Sequence, residues 1–219
     1  MAEPQYQRLK HRHREIRDGY PKELNLRIHR ALSWLDRAER SEDEDGKFIF
    51  LWIAFNAAYA AEIDEQERLS EQTMFNQFLA KLLSLDKEKR IDAFVWKEFS
   101  GNIRILLETQ FVYQTFWDFH SGKITESEWK LGFDRSQEAA RLALASGSSQ
   151  ILLATAFSRL YTLRNQLIHG GATWMSEVNR QQVRCCTGLL EKLVPIIIEL
   201  MMENPQTTWG PVCYPVVEQ

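Results

Sequence analysis

Apolar side chains recur along most of the 219-residue chain at steps of three and four residues, the spacing of amphipathic α-helices. The segments with this pattern are residues 21–40, 48–63, 71–85, 87–120, 125–145, 151–169 and 176–203. Because residues 87–120 can hold one long helix or two shorter ones, we expect roughly six to eight helices. No alternating strand pattern persists, and no long internal repeat is visible. The predicted fold class is all-α, a helical bundle.

Local signals place several helix ends. Thr125 and Glu128 have the spacing of a capping box, and the serines around Gly147 are suited to end one helix and cap the next. Ser176 can cap the last long helix, in which Pro195 is expected to produce a kink. We expect one domain, residues 1–219, with a helical core at about 21–203. Residues 1–20 are expected to form a polar basic arm, and 204–219 an irregular tail.

Charge is unevenly distributed. The arm carries seven basic side chains between Arg8 and Arg17, which are either simply solvated or contact a nucleic-acid backbone. Residues 41–46 form an acidic stretch, interpreted as a solvated connection. The net charge of −3 argues against a protein whose whole surface binds nucleic acid, although a local basic site remains possible.

The cysteines, Cys185, Cys186 and Cys213, have neither the number nor the spacing of a disulfide framework or a metal site. Free thiols without a signal peptide predict a cytoplasmic protein. The longest apolar run, 193–202, is too short to cross a bilayer, so no membrane association is expected.

Two apolar surfaces allow more than one interpretation. The aromatic side chains of residues 94–119 can form core or a platform on which bases stack. One face of the last helix, from Val183 to Leu200, can be core or a seam with a partner, and the second case would make the protein a structural oligomerisation domain.

Polar residues with catalytic potential are concentrated at the end of the 151–169 segment, Arg164-Asn165-Gln166-Leu167-Ile168-His169, followed by Gly170. Helical spacing places Arg164 within the apolar stripe and makes Asn165 and His169 neighbours. Gly170 is a stop signal, so His169 should lie in the last turn, where the helix dipole favours a protonated imidazole. Phosphate loops, dinucleotide motifs, nucleophile elbows and metal clusters are absent from the sequence, and no cofactor or metal is expected.

This set of residues is suited to cleaving RNA without a metal. An imidazole can take the proton of a ribose 2′-hydroxyl or give one to the leaving oxygen, and a guanidinium fork matches phosphate oxygens. One histidine supplies an acid or a base. A symmetric homodimer would supply both.

The chain also resembles the HEPN superfamily, in particular stand-alone, Apea-like members with an R-N-x-x-x-H motif. Arg164, Asn165 and His169 carry that motif, and Phe50–Tyr59 resembles the first core helix. The resemblance implies a ribonuclease whose Arg164 binds phosphate, whose His169 is acid or base, and whose Asn165 orients one of them. It also implies a composite site between two protomers and a toxin–antitoxin or defence setting. The expected partners are RNA, a second copy, and an antitoxin or nucleotidyltransferase.

Other interpretations of these residues remain open. Asn56 and Tyr161 are candidate substrate-binding residues, but Asn56 can instead be satisfied by neighbouring backbone. Arg164 can pair with an internal carboxylate such as Glu62 or Asp36, and His169 can merely cap the helix. The protein would then be a non-catalytic module that binds RNA, nucleotide or a protein.

Overall fold

The computed structural model describes residues 4–60 and 71–215, and within these ranges the protein is helical without a β-strand. The α-helices are α1 (Gln5–Ile16), α2 (Lys22–Glu39), α3 (Glu44–Tyr59), α4 (Glu71–Leu85), α5 (Arg90–Glu98), α6 (Arg104–Glu108), α7 (Gln114–His120), α8 (Glu126–Ser146), α9 (Ser149–Ile168) and α10 (Arg180–Glu203). The all-α class is confirmed, but ten helices are described where roughly six to eight were expected.

The additional helices arise at two places. Residues 5–16, expected to be an irregular arm, form α1, because Leu9 and His13 are four residues apart and both are buried. Residues 87–120 form three helices instead of one or two. A five-residue π-helix, Phe99–Ile103, separates α5 from α6, and extended backbone at Thr109 ends α6.

Several predicted helix ends are confirmed. The bounds of α4 agree with the predicted segment, and Thr125 and Glu128 form the reciprocal bonds of a capping box at the start of α8. Gly147 ends α8 with a φ of 69°, in the left-handed region that favours glycine. Ser148, at the start of α9, makes no side-chain capping bond. Ser176 accepts a bond from the Val178 N–H and caps the short 3₁₀ turn before α10.

The chain divides into two compact units. Among the described residues, the first contains 4–42, 46–60, 71–87 and 190–215, and the second contains 43–45 and 88–189. In the first unit α1 packs against α2, and aromatic rings of α3 and α4 pack together, with the centroids of Phe55 and Phe75 5.9 Å apart. The described part of the C-terminal tail is irregular, as expected.

Helix α9 lies at the centre of the second unit, where α5, α6 and α8 pack against it. Leu152, Leu153, Leu160 and Leu163 are almost fully buried and lie on one side of α9, whereas Gln150 and Ile151 at its start are exposed. From Arg164 onwards the residues of the helix are half-buried or exposed.

The apolar face of α10 is core. The six predicted positions of this face are at most 3% exposed: Val183, Cys186, Leu190, Leu193, Ile197 and Leu200. A partner seam on this face is therefore not supported, because it offers no exposed apolar surface. None of the described helices combines the length and the apolar character required to cross a membrane.

Candidate active site

His169 lies at the carboxyl end of α9, one residue beyond the last helical residue, and is exposed. Its backbone N–H donates to the Asn165 carbonyl at 3.0 Å, and Gly170 follows with a φ of 69°. The predicted stop at Gly170 is thus observed. The imidazole therefore stands at the carboxyl end of α9, the negative end of the helix dipole.

Arg164 is half-buried and has no carboxylate within 4.0 Å among the described residues. Its Nη1 donates to Asn165 Oδ1 at 2.8 Å, and its guanidinium carbon lies 5.8 Å from the ring centroid of Tyr161. Its Nε is buried without a hydrogen-bond partner. The alternative partner Asp36 pairs with Arg40, and Glu62 lies outside the described residues. The guanidinium therefore retains donors that no described side chain uses.

Asn165 connects the motif to a cavity of about 650 Å³ in the second unit, which we call the α9 cavity. The cavity is lined by residues 111–121 before and within α7, by the end of α9, and by residues 171–182. Asn165 is one of these lining residues, whereas Arg164 and His169 are not. Through its side chain and its backbone carbonyl, Asn165 contacts both of the other motif residues.

Two aromatic side chains, Phe111 and Trp117, form part of the cavity wall and are 46% and 40% exposed. Trp117 Nε1 donates to the Phe111 carbonyl at 2.9 Å, and Gln166 Nε2 donates to the same carbonyl at 2.8 Å. The sequence left open whether the aromatic stretch is core or a platform. Phe94 and Phe116 are buried and belong to the core, whereas Phe111 and Trp117 face the cavity, and base stacking on them stays a prediction.

An ion pair that the sequence did not predict organises the start of α10. Arg180 makes two bonds of 2.6 Å to the carboxylate of Asp45, which is 6% exposed. Its hydrogen bond to this carboxylate raises the pKa of Arg180. The acidic stretch was expected to be simply solvated, and for Asp45 this expectation is wrong. Asp45 instead holds Arg180, which also donates to Asn179 on the cavity wall.

Arg159 lies on the same helix as Arg164 but is enclosed by protein. It is 2% exposed, its guanidinium carbon lies 4.3 Å from the Tyr113 ring centroid, and Nη2 donates to Ser136 Oγ at 2.9 Å. Burial lowers its pKa to about 10, so the side chain remains charged at neutral pH. No sequence pattern distinguishes this buried arginine from Arg164.

The two remaining candidate residues differ in their relation to the motif. Tyr161 contacts Arg164 through its ring, as above. Asn56 lies on α3 in the first unit, is partly exposed, and its side chain bonds to no described residue. Its predicted role in binding substrate stays a prediction. Among the described residues, no group of His, Cys, Asp or Glu has an arrangement that could hold a metal ion.

No protein-family model, curated protein or solved structure matches this chain.

Proposed function

We propose that this protein is a metal-independent endoribonuclease of the HEPN type. The observation that carries the proposal is the state of Arg164, a half-buried guanidinium with unused donors and no carboxylate partner among the described residues. Asn165 holds it beside the α9 cavity, and His169 is exposed at the end of the same helix. An arginine that is partly buried without a carboxylate can bind backbone carbonyls, as Arg27 does, can pack against an aromatic ring, as Arg159 does, or can bind an external anion. Arg164 binds no backbone carbonyl of the described residues and keeps donors unused, which favours the third role.

In the proposed reaction the ribose 2′-oxygen attacks the adjacent phosphorus and the bond from phosphorus to the 5′-oxygen breaks. The products are a 2′,3′-cyclic phosphate and a free 5′-hydroxyl. His169 accepts the 2′-hydroxyl proton or donates a proton to the departing 5′-oxygen. Arg164 donates to the non-bridging oxygens as negative charge accumulates on them. DNA lacks the 2′-hydroxyl and is not cleaved.

A second copy of the chain completes this proposal, because one imidazole cannot act as acid and base in the same step. Two exposed His169 side chains brought together by a two-fold axis supply both groups, and each Arg164 contributes to the shared cleft. The proposed setting is a toxin–antitoxin or defence system in the cytoplasm, with an antitoxin or nucleotidyltransferase as partner.

The test is cleavage of single-stranded RNA by purified protein in EDTA. We expect His169→Ala and Arg164→Ala each to lower the cleavage rate about 100-fold or more, because each removes a group that acts in the transition state. The matched controls are His11→Ala and Arg141→Ala, both exposed and paired only with a glutamate on their own helices. Equal rates for all five proteins, or loss of all cleavage in EDTA, would contradict the proposal.

One observation favours a second function, a binding module without turnover. Neither Arg164 nor His169 lines the α9 cavity, although Asn165 and two exposed aromatic side chains do. This function predicts RNA or nucleotide binding that His169→Ala leaves unchanged, together with no cleavage by the unmodified protein.

A further inference from the structure

The α9 cavity has an unusual chemical character for the neighbourhood of an arginine. Among the described residues that line it, none carries an ionisable side chain, while five are amides: Gln114, Asn165, Gln166, Asn179 and Gln182. A charged ligand group would have no counter-charge inside this cavity. A neutral ligand rich in hydrogen-bond donors and acceptors fits such walls, and the volume lies within the usual range for small-molecule sites.

The aromatic part of the wall is held in position. Phe116 packs against both cavity aromatics, with ring centroids 5.7 Å from Phe111 and 5.2 Å from Trp117. The bond from Trp117 Nε1 to the Phe111 carbonyl further fixes the indole. Two exposed aromatic side chains on one uncharged cavity are suited to contact the flat face of an unpaired base.

The amides present a specific set of unused groups. Asn165 must direct Oδ1 at Arg164, because a guanidinium can only donate, and this leaves Nδ2 as a donor. Gln166 must direct Nε2 at the Phe111 carbonyl, which leaves Oε1 as an acceptor. Neither remaining atom bonds to a described residue.

Gln182 adds the strongest indication of a ligand. It is 7% exposed, its Nε2 donates to Thr109 Oγ1 at 3.4 Å, and its Oε1 is buried without any hydrogen-bond partner. Buried side-chain polar atoms in folded proteins nearly always have a partner, so an unpaired amide oxygen at a cavity wall indicates a missing donor. A ligand that supplies N–H groups would provide it once the Gln182 side chain turns towards the cavity, because Oε1 is enclosed in the empty cavity and the 3.4 Å bond of Nε2 to Thr109 is long.

We infer that the α9 cavity is a base pocket that receives one unpaired adenine of the RNA. This inference rests on the proposed function, and it names the base that the site prefers. The adenine amino group donates to the free amide oxygens of Gln166 and Gln182, and a ring nitrogen accepts from Asn165 Nδ2. The base enters the uncharged cavity, while its phosphate remains outside and binds Arg164, which Asn165 holds at the wall.

The experiment measures equilibrium binding of two 2′-O-methylated hexanucleotides, which cannot be cleaved, one with a single adenine among uracils and one of uracil alone. We expect the adenine-containing strand to bind about tenfold more tightly. Trp117→Leu and Gln182→Met should reduce this preference to about twofold or less. Phe111→Leu, at an exposed position, provides a second test of the aromatic wall should Gln182→Met fail to fold.

Matched controls separate this inference from the nuclease proposal. Trp96→Leu removes an exposed tryptophan that does not line the cavity and should retain the full preference. Arg164→Ala should weaken both strands equally, because it contacts phosphate. Equal binding of the two strands, or a preference that survives Trp117→Leu, Phe111→Leu and Gln182→Met, would overturn the base pocket even if unmodified RNA is cleaved.

A final binding measurement uses adenosine and adenosine monophosphate as free ligands. We expect both to bind more weakly than the adenine-containing strand, because the strand adds phosphate contacts at Arg164. Binding of free adenosine monophosphate as tight as that of the strand, without cleavage of unmodified RNA, would retain the adenine pocket and refute the nuclease.

Discussion

Two arginines on α9 have different surroundings. Arg159 is enclosed against the Tyr113 ring and Ser136, where no phosphate can reach it. Arg164, five residues later, is only half-buried and is held by a single amide contact. An amide neighbour orients a guanidinium without neutralising it, whereas a carboxylate would cancel the charge that the proposed phosphate contact requires. The identity of residue 165 therefore determines whether Arg164 is available.

Replacing Asn165 with aspartate tests this point. Asn165→Asp keeps the size of the side chain but places a carboxylate 2.8 Å from Arg164 Nη1, the distance at which Oδ1 now lies. We expect the resulting ion pair to lower RNA cleavage about tenfold or more and to weaken RNA binding, with no loss of stability. Cleavage rates and thermal unfolding of the two proteins measure both effects.

The control for that variant is Gln150→Glu, which adds a carboxylate at an exposed position at the start of α9 that does not line the α9 cavity. It should change cleavage by no more than about twofold, since it lies at the other end of the helix from Arg164 and is exposed to solvent. A loss of similar size in both variants would show that added charge, and not the pairing of Arg164, is responsible.

Among the elements, α1 changes the interpretation of the basic N-terminal segment. The helix buries Leu9 and His13 and directs Arg8 and Arg12 to Glu199 and Glu203 of α10 within the first unit. Part of its positive charge is therefore paired with the protein itself. Lys10 and Arg17 lie near His13, whose Nε2 is 3.1 Å from Asn25 Oδ1.

We predict that the protein loses stability as the solution becomes acidic, in part because of His13. Burial lowers the pKa of His13 most strongly, and the charges of Lys10, Arg17 and His29 lower it further. The hydrogen bond with Asn25 raises it, but by less than burial lowers it. The unfolded chain titrates near the ordinary value of about 6.5, so it binds a proton before the folded state does. The contribution of His13 to the free energy of unfolding is therefore complete above the unfolded pKa of about 6.5, and it is lost as the pH decreases towards the lower folded pKa.

Urea unfolding between pH 7.5 and pH 5 measures this dependence. His13→Gln should reduce the slope of stability against pH, although His29, whose pKa is also lowered by burial, retains part of it. His11→Gln replaces an exposed histidine of the same helix and should leave the slope unchanged. A slope that is identical in all three proteins would contradict the role assigned to His13.

At the scale of the whole molecule, two arginines of α2 bind backbone carbonyls at the end of α3 and in the C-terminal tail. Arg27 is 1% exposed and donates to four carbonyls, those of Ala58, Ala60, Gly210 and Pro211, while Arg30 donates to Cys213 and Tyr214. The last carbonyls of a helix and those of irregular backbone lack helical partners, and the two guanidinium groups supply donors for them. The described part of the C-terminal tail is thereby attached to the first unit.

Replacing Arg27 with methionine should release this tail. Arg27→Met leaves the four carbonyls without their donor, so we expect a loss of about 3 kcal/mol in the free energy of unfolding. Amide hydrogens of residues 207–214 should exchange faster. Arg37→Met is the control, since Arg37 is exposed and lies over the Phe50 ring, and it should change neither quantity appreciably. Unchanged exchange in Arg27→Met would show that other contacts retain the tail.

Much of the helical architecture was predictable because its signals are local. The bounds of α4, the capping box of α8 and the stop at Gly170 depend on residues a few positions apart. Helix α1 was not predicted because only two of its residues, Leu9 and His13, are buried, and a histidine does not contribute to an apolar pattern. The α9 cavity could not be predicted, since residues from three distant segments line it.

The sequence by itself determined that the protein is all-helical, which stripes are buried, and which three polar residues stand together at the end of α9. Helical periodicity is a property of neighbours along the chain, so no tertiary information is needed for it. Only the tertiary structure decided that Arg159 is enclosed while Arg164 retains free donors, that Asp45 pairs with Arg180, and that Gln182 reaches a cavity. These outcomes depend on contacts between residues as far as 135 positions apart, which spacing along the chain does not encode.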